Sequence, residues 1–128
     1  MSAVAVEPEL TLALTTELWV SFVSLIRSYA GVAALHGGDS VDVTVAGNSV
    51  TLCADLVECS MRLAQRTGTV SWHLCEVTQE MAAGRFVLLP EGKIRQDEAI
   101  QDMDSVAIDM VARVRDRARA RAGREGRR

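Results

Sequence analysis

The sequence predicts an α+β domain: an N-terminal helix, an antiparallel β-meander of about five or six strands built from three hairpins, and a C-terminal helix packed on the same sheet face. Apolar residues recur at helical spacing near the N-terminus and again after residue 102. Between those segments the period falls to two, punctuated by turn residues. At 128 residues and 48% hydrophobic composition, the chain is long enough for one core and too short for two ordinary domains. Residues 1–117 are expected to form that domain and residues 118–128 an Arg/Ala-rich solvated helix end or disordered tail.

Residues 1–8 read as a loose leader, and the alternation of Leu10, Leu12 and Leu14 fits a short strand or extended lead-in. From Thr15 or Thr16, either of which could serve as N-cap, Leu18, Phe22, Leu25, Ile26, Tyr29 and Val32 recur at helical spacing until Gly37-Gly38. Gly31 offers an earlier stop, and His36 stands where it could cap the last carbonyls. The stretch LWVSFVSLI (18–26) is apolar on more than one face, because Trp19, Val20 and Val23 lie beside the stripe. A helix lying on one sheet needs a single stripe. The second face is therefore covered either by the C-terminal helix with the lead-in strand, or by another chain, with Trp19 and Val23 as the partner-binding residues of a homodimer or obligate complex.

In SVDVTVAGNSVTLCA the two-residue turn Gly47-Asn48 pairs Val45 with Val50 and Val43 with Leu52, which sets all four on one face. Residues 56–66 are ambiguous: Val57, Cys59, Met61 and Leu63 alternate, yet Asp55 and Glu58 have capping-box spacing and the composition suits a helix. Strand is preferred, because a turn at Thr67-Gly68 would pair Leu63 with Trp72 and Met61 with Leu74. The segment VTQEMAAG reads as a loop or short helix. RFVLLPEGKIRQ then gives a third hairpin around Glu91-Gly92, with Leu89 opposite Ile94. Met103, Val106, Ala107, Met110, Val111 and Val114 form the stripe of the last helix, behind Asp102 and Asp104. The arginines at 113, 115, 117, 119 and 121 step by two and so surround the axis, which predicts that the helix leaves the body after Val114.

Charge bounds the partners. Residues 113–128 carry eight Arg against Asp116 and Glu125, a local +6, which leaves −9 on residues 1–112 of a chain with net charge −3. An acidic body repels phosphate polymers, so nucleic acid is expected only as a weak, nonspecific, salt-sensitive contact of the tail. An odd count of three cysteines without CxxC, and only two histidines, argues for reduced thiols and no metal site. The start lacks the basic n-region of a signal peptide, and the apolar stretches are interrupted short of a membrane span. A soluble cytoplasmic protein with no membrane contact is the expectation.

The predicted second hairpin sets Arg62 across from His73 and Ser60 across from Cys75 on the polar sheet face. Nucleophilic chemistry there would use Cys75 with His73, but no third group orienting the imidazole is evident in the sequence. Phosphate-loop, dinucleotide, zincin and nucleophile-elbow motifs are absent. The reading is a small noncatalytic interaction module, an adaptor, chaperone-like or regulatory subunit, with no cofactor. Trp19, Val23, Arg117 and Arg121 are its partner-binding candidates. The alternative is a carrier of a small apolar ligand in a pocket between helix and sheet lined by Phe22, Met61 and Trp72, and an enzyme using Cys75 and His73 ranks third.

Overall fold

The computed structural model describes residues 11–35 and 40–126. Two helices, α1 (Leu12–Leu35) and α2 (Met103–Gly126), bracket the strands β1 (Asp42–Ala46), β2 (Ser49–Ala54), β3 (Val57–Ala64), β4 (Thr69–Glu76), β5 (Gln79–Leu89), β6 (Lys93–Gln96) and β7 (Ala99–Asp102). All seven lie in one antiparallel sheet in sequence order. The α+β architecture is the one predicted, with more strands than expected.

The first helix begins earlier than its apolar stripe suggests. Thr11 Oγ1 accepts a hydrogen bond from the Leu14 backbone N–H at 3.0 Å, so Thr11 caps the helix, and Leu12 and Leu14 fall in its first turn rather than in a lead-in strand. Thr15 is buried inside the helix with its hydroxyl bonded to the Thr11 carbonyl. The expectations for residues 1–8 and Leu10, and for His36 and Gly37-Gly38, lie outside the described residues. By length and hydropathy alone α1 could cross a bilayer, contrary to the expectation of interrupted stretches. Its Leu18, Trp19, Phe22, Val23 and Ile26 pack in the core.

Hairpin registers follow the turns. Gly47, at φ 59°, closes the β1–β2 turn, and Val45 pairs with Val50 and Val43 with Leu52 as predicted. Asp55 takes positive φ in the next two-residue turn rather than capping a helix, and residues 57–64 are strand, with Val57, Cys59, Met61 and Leu63 buried. The β3–β4 register differs by two from the prediction, with Leu63 opposite Val70 and Met61 opposite Trp72. The cause is the length of the turn, which spans residues 65–68 with the Thr67 and Gly68 amides both bonded to the Ala64 carbonyl. A shift of two preserves every residue's face.

The β5–β6 register differs by one. The connection Pro90–Gly92 holds Glu91 and Gly92 at positive φ, so Leu88 rather than Leu89 meets Ile94, and Leu88 enters the core. Residues 79–84, expected as loop or short helix, belong to β5, held by its ladder to β4. That ladder contains a bulge: Leu74 pairs with Ala82 but Cys75 with Glu80, so Met81 is the extra residue.

The helix-facing side of the sheet and the inner faces of both helices share one core, in which Phe22 meets Phe86 edge-on at 5.5 Å between ring centroids. Burying a side chain of this size stabilises by ~1.5–3 kcal/mol. Trp19 and Val23 of the second face of α1 are thus covered within the chain as core residues, whereas Val20 stays 58% exposed. The α2 stripe also continues past Val114 to a buried Ala118, so the helix does not leave the body where the arginine spacing predicted.

Candidate functional site

The feature of the helix layer most like a docking surface is built where the C-terminal end of the α1 stripe meets the edge of the α2 stripe. Tyr29, Val32 and Ala33 of α1 recur at i, i+3, i+4, and Ile108, Val111, Ala112 and Arg115 of α2 at i, i+3, i+4, i+7. Together they line a groove of about 320 Å³ that the small Ala33 and Ala112 help to open. Val32 and Ile108 stand 47% and 45% exposed, against the rule that such side chains seek cover. Arg115 supplies the one charge on the lining, and its Nε lies 3.3 Å from Asp116.

Next to the β4–β5 turn, the end of α2 is fastened by a carboxylate. Arg117, Arg121 and Arg124 share one helix face. Glu76 Oε1 accepts from Arg117 Nε at 2.9 Å, while its Oε2 accepts from Arg121 Nη1 at 3.5 Å and from Arg124 Nη2. Arg121 Nε also lies 3.6 Å from Asp55 Oδ2. The hydrogen bond from Arg117, more than any other cause, holds the Glu76 carboxyl below the usual carboxylate range. Arg117 and Arg121, expected to meet a partner, meet the chain's own body instead.

The sheet face away from the helices carries a second polar cluster. Because of the register shift, Ser60 lies opposite His73, Arg62 opposite Ser71, and Glu58 opposite Cys75, which replaces the predicted Arg62–His73 and Ser60–Cys75 pairs. The bulge at Met81 reverses the alternation of β5 and brings Glu80 to this face, where its Oε1 lies 2.8 Å from His73 Nδ1. A group that orients the imidazole therefore exists, seven residues downstream and hidden from the sequence by the bulge. A carboxylate at this distance can only accept, so the ring nitrogen facing it donates and the contact fixes the orientation of the imidazole. His73 is thereby committed to Glu80 rather than to Cys75.

Among the described residues no group of three His, Cys, Asp or Glu side chains is placed to hold a metal ion. Comparison with known protein families, curated proteins and solved structures gives no match. Free cysteine is among the most buried residue types, from which Cys53 and Cys59 are both expected to be small buried hydrophobes; Cys59 is one, with burial pushing its thiol up to about 12. Cys53 instead lies on the opposite sheet face at intermediate burial, its thiol also raised, by burial first and then by Glu58, Asp42 and Asp55.

Of the three ligand candidates, Phe22 and Met61 are fully buried core side chains. Trp72 is nearly so: its ring is covered by the Arg113 guanidinium at 4.9 Å from the centroid, and its indole Nε1 is buried without a hydrogen-bond partner. The groove residues Ile108 and Ala112 escaped the sequence reading because they lie one position off the main α2 stripe. An α2 apolar arc broader than one stripe was the available signal.

Proposed function

We propose that the chain is a small noncatalytic interaction module that docks an apolar segment of a protein partner, either a second copy of itself or another chain, in the groove between α1 and α2. The observation that carries this reading is the half-exposed pair Val32 and Ile108 flanking an apolar groove. Desolvating two such side chains against a partner would yield ~1–3 kcal/mol, enough to make them anchors for a docked helix or strand. The uncharged lining, apart from Arg115, fits an apolar occupant and disfavours a polyanion.

The test is site-directed photo-crosslinking in the native cell, with a benzophenone side chain replacing Ala112 in the groove or Thr44 on the opposite sheet face. The reading expects a discrete adduct from position 112 that disappears in Ile108→Asp, with no adduct from position 44. Ile108→Asp should retain the wild-type melting temperature within ~0.5 kcal/mol of stability, because the side chain is already half in water. Equal labelling at both positions, or labelling indifferent to Ile108→Asp, would refute the groove as the docking surface.

A further inference from the structure

The outer sheet face contains a depression that the interaction reading does not use. Outward side chains on β4 and β5 form a rectangle: His73 beside Ala83 in one ladder row, Ser71 beside Arg85 in the next. Ser71 and Ala83 are small, so the rectangle is a hollow of about 320 Å³, lined also by Trp72 and Gly84, the pair lying between the two rows. On the adjacent strand β3, Arg62 lies beside Ser71 and Ser60 beside His73. A serine hydroxyl thus sits between two arginines whose Cα atoms, two strand spacings apart, are separated by about 10 Å, a span that two guanidinium arms can close from both sides.

Neither Arg62 nor Arg85 makes an ion pair among the described residues, although the chain has an acidic balance and pairs Lys93 with Asp102 and Arg117, Arg121 and Arg124 with Glu76. Both arginines are exposed and project from the face that carries Ser71. We propose that this hollow binds a small phosphomonoester, its oxyanion held between Arg62 and Arg85 above Ser71, with Ser60 and His73 as further hydrogen-bonding groups. Guanidinium forks match tetrahedral oxyanions with paired hydrogen bonds, and the hydroxyl supplies a donor from below. Glu80 contributes by fixing the imidazole beside the hollow. The neighbouring ladder row of Asp42, Glu58 and Glu80 would repel a polyanion laid across the sheet, so the observations favour a compact ligand over nucleic acid.

The test uses the full chain, isotope-labelled and titrated separately with inorganic phosphate, O-phosphoserine and a short DNA duplex at constant ionic strength. The proposal expects saturable shifts at the Ser71, His73 and Ala83 amides below ~10 mM phosphate or O-phosphoserine. Arg85→Ala and Arg62→Ala should each weaken that binding by about tenfold, while Arg27→Ala on α1 leaves it unchanged. Melting curves establish that the variants fold, since both arginines point to solvent. Tighter binding of O-phosphoserine than of phosphate would identify a carried phosphomonoester as the ligand, and equal binding would identify the free anion. Absence of saturation with either, binding unaffected by both arginine variants, or shifts confined to the α2 arginines or produced by the duplex alone would overturn the proposal.

Discussion

A single missing methyl group shapes the middle of the sheet. Gly84 pairs with Trp72, and a Cβ on Gly84 would lie 2.8–2.9 Å from the indole atoms Cζ2, Cε2 and Nε1. The ring has little room to retreat, since Arg113 covers it from α2. Gly84→Ala should therefore cost ~1–3 kcal/mol through overpacking, read as a lower denaturation midpoint with unchanged slope. Combining it with Trp72→Leu should cost less than the sum of the single changes, because the clash partner is gone. Additive costs would show that the two residues do not collide.

At the scale of elements, the alternation of each strand makes a sharp contrast available. Leu52 is fully buried and Thr44 faces out on the adjoining strand. Leu52→Asp puts an unpaired carboxylate in the core, at a cost of several kcal/mol against a typical domain stability of ~5–15 kcal/mol, and should unfold the protein by circular dichroism. Thr44→Asp should melt within a degree or two of wild type. The end of α2 tests differently. Deleting residues 118–128 removes buried Ala118 and the Arg121 and Arg124 contacts to Glu76, so the melting temperature should fall by a few degrees, where the tail read as solvated would predict no change.

The same elements show what the sequence could convey. The β1–β2 register was legible because a two-residue turn leaves one pairing consistent with the alternating valines. The β3–β4 and β5–β6 registers were not, because the four-residue turn at 65–68 and the paired positive-φ residues Glu91 and Gly92 use loop lengths that the alternation does not announce. β5 begins in small and acidic residues of low strand propensity that only the β4 ladder makes extended, and β7 is a four-residue edge strand without a periodic signature. Of the site, the polar outer face could be foreseen as a face. Which residues meet on it could not, since both the register and the bulge intervene. Trp19 and Val23 were legible as apolar residues beside the main stripe, but only the packed structure reveals that the chain buries them while leaving Val20 exposed.

At the scale of the molecule, charge segregation is resolved internally. The acidic body and basic tail, opposite in sign along the chain, meet where Glu76 and Asp55 receive the α2 arginines. Because the folded Glu76 carboxyl titrates below its unfolded value, the clasp contributes fully above the ordinary carboxylate pKa of ~4.3 and is lost as pH falls through the depressed folded value. Glu76→Gln should therefore melt lower than wild type at neutral pH, with the two curves converging under acid conditions. A constant offset across the whole acid range would place the stabilisation elsewhere.

The strand order carries a consequence for synthesis. Each strand pairs with the one made just before it, so the sheet can zip hairpin by hairpin as it emerges from the ribosome, with only short loops to close. Its apolar face has no such local solution. α1 is made before the seven strands and α2 after them, and the two pack on one another on the same sheet face, so the core cannot seal until α2 is released. For most of its translation the nascent chain would present a hairpin array with one greasy side uncovered, the condition in which chaperones bind and aggregation starts. A ribosome stalled before Met103 is thus expected to expose its product to holdase capture, and one stalled beyond Gly126, with a linker long enough to clear the exit tunnel, is expected to release it.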